Sequence, residues 1–282
     1  MRVSTIGIIG AGTMGSGIAQ VCAAAGIDVI MVDVSDAAIE KGVSAIVHNF
    51  DRLIGKGKLS AGDKDAALAR IKRSTSLDAL GPVDLAIEAA TENLELKLKI
   101  LKQIDPLMRP DAIAASNTSS VSITKLATAI SRPDRFIGLH FFNPVPVMSL
   151  VEIVRGLQTS DATHDTVEAL STKLGKTSIT VKNAPGFVVN RILLPMLNEA
   201  FFVLAESDAE ACEIDAGMTL GCNHPIGPLA LADLIGLDVL LSVMQTMHDE
   251  FGDSKYRPAP LLKELVAAGY LGRKSGRGVY RY

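Results

Sequence analysis

His140 is the side chain best suited to move a proton near neutral pH. It closes an apolar run that begins at Phe136, and a second run, Leu150 to Val154, carries one carboxylate, Glu152. Imidazole titrates near neutrality. A carboxylate on the next strand can hold one ring nitrogen, fix the tautomer and stabilise the imidazolium. Asn143 lies between the runs with Pro144 and Pro146, which break the backbone regularity. A lone histidine beside a strand is ordinarily structural, so the chemistry depends on what the other elements bring to it.

They bring a dinucleotide site. Residues 3–9 read as a short apolar strand leading into Gly10, Gly12 and Gly15, with Thr13 and Met14 between them, and Ser16 to Ala25 reads as a small-residue helix. Gly10 permits a tight turn, Gly12 lets the backbone approach a pyrophosphate, and Gly15 lets helix and strand pack closely. The helix N-terminus then presents N–H groups and a positive dipole end to the phosphates. The next apolar strand ends in Asp33, 18 residues beyond Gly15. A carboxylate there accepts from an adenosine ribose 2′-hydroxyl and repels a 2′-phosphate. No arginine follows at Val34, Ser35 or Asp36. The expected cofactor is therefore NAD rather than NADP.

Several elements must position these groups. A helix from Asp36 to about Ile54 and a second from Ala61 to Arg70 make a helical hairpin, an insertion beyond a minimal βαβ unit. Arg52 and Lys56, one turn apart near the first helix's end, read as cations complementing its dipole. A strand over 83–89 ends before Glu92, a helix over 94–108 carries Lys97 in its first turn, and a strand over 112–116 ends in the polar turn Asn117 to Ser120. Both turns lie at the sheet edge where doubly wound folds hold ligands. After the strands of His140 and Glu152, a helix (162–174) and a strand (177–181) complete an α/β part. The boundary falls over 182–185. Beyond it the pattern is helical: 186–204 with Pro185 at its start and a kink at Pro195, then a loop over 224–228 and two or three further helices. The tail over 272–278 is basic and flexible in composition, and Val279 and Tyr280 form a last packed strand or turn. The expected fold is α/β, a Rossmann-type doubly wound sheet domain over 1–184 with a helical hairpin insertion, followed by an all-α C-terminal domain over 185–282. Ser119 and Asn190, one from each domain, can donate to an oxygen on which negative charge develops, in a site closing between the domains.

Composition sets the class. With 28 basic against 31 acidic residues the chain shows no nucleic-acid face. Cys22, Cys212 and Cys222 are odd in number without CxxC spacing, and read as reduced packing residues. A strand begins within a few residues of Met1, leaving no room for a targeting peptide, and no apolar run approaches the roughly 18 residues of a membrane span. A cytoplasmic protein without a membrane partner is expected. No His/Cys cluster suggests a metal.

The motifs GAGTMGSGIAQ (10–20), SNTSS (116–120), RFIGLHFFNPVPVMSLVEIV (135–154), NAPGFVVNRIL (183–193) and HPIGPLAL (224–231) carry a resemblance that covers essentially all 282 residues. In them the chain resembles the short-chain L-3-hydroxyacyl-CoA dehydrogenase family, most closely its bacterial 3-hydroxybutyryl-CoA branch. The resemblance implies NAD-dependent interconversion of (S)-3-hydroxybutyryl-CoA and acetoacetyl-CoA. Relatives acting on another acyl chain, such as 3-hydroxyadipyl-CoA, or serving as non-catalytic crystallins, share the pattern. It implies His140 as acid/base with Glu152 as its partner, and Ser119 and Asn190 on the substrate's C3 oxygen. Asn143 supports the site and Asp33 holds the ribose. Glu92 and Lys97 lie on the nicotinamide side, and Asn117 and Ser119 belong to the cofactor set. It raises Arg52 and Lys56 to binders of coenzyme A phosphates, and it implies a homodimer through the C-terminal helices.

Overall fold

Thr5–Ile9, rich in β-branched residues and bounded by Gly10, forms β1 near the middle of an eight-stranded sheet. The computed structural model describes residues 3–206 and 209–282. The chain divides into two compact units, Met1–Ala184 and Pro185–Tyr282.

In the first unit, β1 is followed by α1 (Thr13–Ala24), β2 (Asp28–Val32), α2 (Asp36–Gly55), α3 (Ala61–Ala69) and β3 (Ile71–Ser74). Then come β4 (Leu85–Glu88), α4 (Leu94–Ile104), β5 (Ile113–Ser116), α5 (Ile123–Ala127), β6 (Phe136–Phe141), β7 (Leu150–Arg155), α6 (Asp161–Lys173) and β8 (Thr177–Lys182). The order β3-β2-β1-β4-β5-β6-β7-β8 is that of a doubly wound sheet extended at one edge. All neighbours pair in parallel except β6 and β7. Ile6, Ile8, Met31, Leu85, Ile87 and Ile137 are buried in the sheet, as a layer covered on both faces requires.

The expected α/β class is what folds, with one strand more than the periodicity showed. Within β3, Lys72 and Arg73 are exposed, so this strand lacks the apolar run that marks the others. It pairs only with β2 and forms the sheet's edge, where charged side chains are tolerated. The α2–α3 hairpin is thus the crossover between β2 and β3, packed against α1.

The second unit holds α7 (Val189–Glu206), α8 (Ala211–Ala216), α9 (Pro228–Ile235), α10 (Leu237–Phe251) and α11 (Pro260–Ala267) around Leu197, Phe201, Leu240, Met244 and Leu262. Its first helix starts later than expected. Gly186 and Phe187 have φ of 74° and 49°, left-handed backbone that a right-handed helix cannot include. The first helical residue is therefore Val189, and Pro195 lies inside the helix. Among the described residues no single helix is long and apolar enough to cross a membrane; α9 and α10 pass such a test only together, and they are bent by 96°.

The basic stretch over 272–278, flexible by composition, instead folds on itself, with the Gly272 amide donating to the Arg277 carbonyl at 2.8 Å, and Val279 and Tyr280 after it are packed as expected. Asp233, 1% exposed, accepts from the Val279 and Tyr280 amides at 2.9 Å each and from the Tyr282 hydroxyl at 3.1 Å. Asp215 accepts from the Leu229 and Ala230 amides, capping α9, and from the Tyr280 hydroxyl at 2.7 Å. Burial, and then the Asp215 carboxylate, push the Tyr280 phenol well above its ordinary range, so it stays a donor. Asp233→Ala leaves two backbone donors without their acceptor and should cost about 2–4 kcal/mol. Chemical denaturation measures the loss, and faster proteolysis of the tail locates it; an unchanged midpoint would show that the latch contributes nothing.

Of the three cysteines only Cys22 packs as expected: burial pushes its thiol up to about 12. Cys212 and Cys222 are exposed free thiols. Odd number and spacing carry no information on burial, which here follows from their place on the surface of the helical unit.

Candidate active site

The glycine loop connects β1 to α1 and folds against the end of β4. Gly10 has φ of 104°, and a side chain there would strike the Ala89 carbonyl and Ala90. A side chain at Gly15 would meet the Gly10 carbonyl, so the helix could not lie so close to the strand. A side chain at Gly12 would meet nothing within 4 Å, and no side chain caps α1. Thr13 is exposed and Met14 half-buried beside this open ground. Uncapped helical N–H groups facing an open cradle fit a pyrophosphate. Asp33 follows β2, where its carboxylate accepts from the Ala11 amide at 2.6 Å and the Val34 amide at 2.7 Å. It therefore also buckles the glycine loop, a contact the motif spacing did not show.

The next two turns of this edge are tied together by charge. Glu88, the last residue of β4, and Lys97 are both without exposed surface, and the ammonium lies 2.6 Å from the Glu88 carboxylate. Ser116, ending β5, donates to Glu88 at 2.7 Å and lies 3.2 Å from Lys97 Nζ. The other Glu88 oxygen accepts from the Ala90 amide at 2.9 Å. Glu92 stands above them, its side chain 49% exposed and 3.8 Å from Lys97 Nζ. It accepts from the Ser119 amide at 2.8 Å, the Ser119 hydroxyl at 3.0 Å and the Thr118 hydroxyl at 2.7 Å.

Two residues expected in the cofactor set lie inside the fold. Lys97 has no exposed surface, with Glu92 3.8 Å from its ammonium. Asn117 is 8% exposed, and its side-chain oxygen accepts from the Phe141 amide at 3.0 Å. It fixes the polar turn to the strand of His140. Glu88 and Ser116 were missed altogether. One signal was available: a carboxylate inside an apolar strand needs a buried partner, and a lysine stands nine residues on.

His140 sits on β6 directly opposite Glu152 on β7, in antiparallel register. Directly opposed residues share one face, so the pair meets without any loop to position it. Nδ1 lies 2.7 Å from Glu152 Oε2. Glu152 has no exposed surface and His140 retains 6%. The Phe142 ring packs at 4.5 Å between centroids. This is an imidazole oriented by a buried acid, able to take up and return a proton.

The remaining expected residues are dispersed. Asn143 is exposed on the turn after β6, next to a cis bond to Pro144. Arg52 and Lys56 are exposed at the end of α2, and neither enters an ion pair among the described residues. Asn190 stands half-buried on the first turn of α7, in the second unit. His164, Asp165 and Glu168 on α6 do bring three metal-ligand atoms within 4.8 Å, but both His164 ring nitrogens are already engaged, by Asp165 and Thr180.

Family models match both units: the NAD-binding domain of 3-hydroxyacyl-CoA dehydrogenase over residues 5–184, and its C-terminal domain over 186–282. The chain belongs to the 3-hydroxyacyl-CoA dehydrogenase family. The dehydrogenase is 50% identical over 280 residues to a 3-hydroxybutyryl-CoA dehydrogenase of Bradyrhizobium diazoefficiens, covering 99% of this chain and 96% of that one. It is 50% identical over 282 residues to a probable 3-hydroxybutyryl-CoA dehydrogenase of Bacillus subtilis, covering 100% and 98%. Among solved structures, the (S)-3-hydroxybutyryl-CoA dehydrogenase PaaH1 of Ralstonia eutropha matches with a TM-score of 0.97 at 67% identity, over 100% of this chain and 99% of that one. The dehydrogenase is thus an NAD-dependent enzyme, and its first unit is the NAD-binding domain.

Proposed function

We propose that the dehydrogenase interconverts (S)-3-hydroxybutyryl-CoA and acetoacetyl-CoA, with His140 as the acid/base. The observation that carries this is the 2.7 Å contact between His140 Nδ1 and the buried Glu152 carboxylate, on the sheet that carries the glycine loop. The names borne by the relatives in Bradyrhizobium diazoefficiens and Ralstonia eutropha support the short acyl chain.

NAD, when bound, supplies the hydride acceptor. His140 takes the proton of the C3 hydroxyl through Nε2 during oxidation and returns it during reduction. Glu152 holds Nδ1 as the donor and stabilises the imidazolium. Ser119 and Asn190 hydrogen-bond the C3 oxygen; the Ser119 hydroxyl must first turn from Glu92, to which it now donates. Asn143 supports the ring, and Gly10, Gly12, Thr13, Met14, Gly15 and Asp33 hold the adenosine and pyrophosphate. Arg52 and Lys56, exposed and without ion partners among the described residues, take phosphates of coenzyme A.

The protein works as a homodimer through the helical unit, a reading supported by exposed Ile192, Val203, Leu234 and Val239. Its place is the cytoplasm, which suits two exposed free thiols.

The test is oxidation of NADH with acetoacetyl-CoA, repeated with NADPH at equal concentration. Turnover with NADH at least tenfold faster is expected, because the Asp33 carboxylate opposes a 2′-phosphate. Absence of turnover would remove the substrate; preference for NADPH would remove the role of Asp33. Comparison with longer and dicarboxylic acyl-CoA thioesters by kcat/KM fixes the acyl chain.

A further inference from the structure

The buried cluster at the ends of β4 and β5 has a charge that does not cancel. Glu88 and Lys97 are one anion and one cation in contact at 2.6 Å, both sealed from solvent. Glu92 is a second carboxylate, 3.8 Å from the same ammonium and half exposed towards the ligand edge. Lys97 cannot balance both. Its shorter contact, the shared Ser116 bridge and the complete burial of both partners commit it to Glu88. Formal charges then leave one negative unit, and the group that carries it towards the crevice is Glu92.

We infer that Glu92 makes this enzyme discriminate between the redox states of its cofactor, drawing the positively charged nicotinamide of NAD⁺ more strongly than the neutral ring of NADH. The inference rests on the reading that the nicotinamide lies at this sheet edge. Glu88, Lys97 and Ser116 are positioning residues: they form a unit under the turn that carries no net charge. A single charge acting across a partly solvated crevice shifts a relative affinity by roughly fivefold to thirtyfold.

Glu92→Gln is a clean probe. The amide oxygen still accepts from the Ser119 amide and hydroxyl, and the amide nitrogen can donate to Thr118 once that hydroxyl turns. Affinities of NAD⁺ and NADH are measured by calorimetry on the intact protein, without substrate. Expected in Glu92→Gln is a rise in the NAD⁺ dissociation constant, relative to that of NADH, of about fivefold to thirtyfold. Glu92→Asp, which keeps the charge, should restore most of the ratio. Glu88→Gln combined with Lys97→Met, which removes equal and opposite charges, should leave the ratio as in the wild type. The wild-type ratio itself should move in NADH's favour as salt rises, a measurement needing no variant.

If Glu92→Gln weakens both cofactors equally, Glu92 is a cofactor contact and the charge inference is overturned while the site reading stands. If neither affinity changes, the nicotinamide does not reach this edge and both fall together.

Discussion

His140→Ala is expected to lower kcat by about 10²–10⁴-fold while the dissociation constant of NAD stays within about twofold. The two quantities separate because the groups separate. The imidazole contacts Glu152 and Phe142, whereas the cradle for the phosphates is built by the glycine loop and Asp33. Alanine also removes packing volume beside a buried carboxylate, so part of any loss could reflect loosened structure. His140→Gln resolves this: its amide can still donate to Glu152, and it has no group that titrates near neutrality. Equal losses in the two variants assign the effect to proton transfer. Wild-type turnover in either would remove His140 from the chemistry and leave the fold untouched.

Lys97→Met should strongly destabilise the first unit, costing about 3–5 kcal/mol. The charge is not removed from water by this change, since it already has no exposed surface; the change strands Glu88, likewise sealed. Ser116 and the Ala90 amide still donate to that carboxylate, but neither supplies the opposite charge. Adding Glu88→Gln should recover most of the loss, because the amide can accept from Ala90 and donate to Ser116. Thermal and urea unfolding of the single and double variants give the coupling between the two residues. Two equally unstable variants would mean that packing, rather than charge pairing, sets the cost.

What was legible in the sequence was whatever repeats locally. The glycine spacing, the acid closing β2 and the apolar strands each follow from a rule spanning a few residues, and the doubly wound class follows from their alternation with helices. β3 escaped because an edge strand with two cations has no apolar run to show. The late start of α7 escaped because positive φ at Phe187 is imposed by its surroundings and not by its residue type. In the site, His140 and Glu152 were legible as a pair because one was the single histidine and the other the single carboxylate of two neighbouring apolar runs. The partnership of Glu92 with Ser119, and the burial of Lys97 against Glu88, depend on which turns a sheet brings side by side. Spacing along the chain holds no record of that. The basic stretch over 272–278 shows a related limit: its composition suggests mobility, and the backbone pairing of Gly272 with Arg277 removes it.

The antiparallel pairing of β6 with β7 restricts how this enzyme can vary. Since the acid and the imidazole meet only because they occupy facing rungs of one ladder, inserting or deleting a single residue in the eight-residue connection between them, Phe142 to Ser149, would threaten to turn one toward the opposite side. The length of that segment is therefore constrained along with the identities of Phe142 and Asn143 within it.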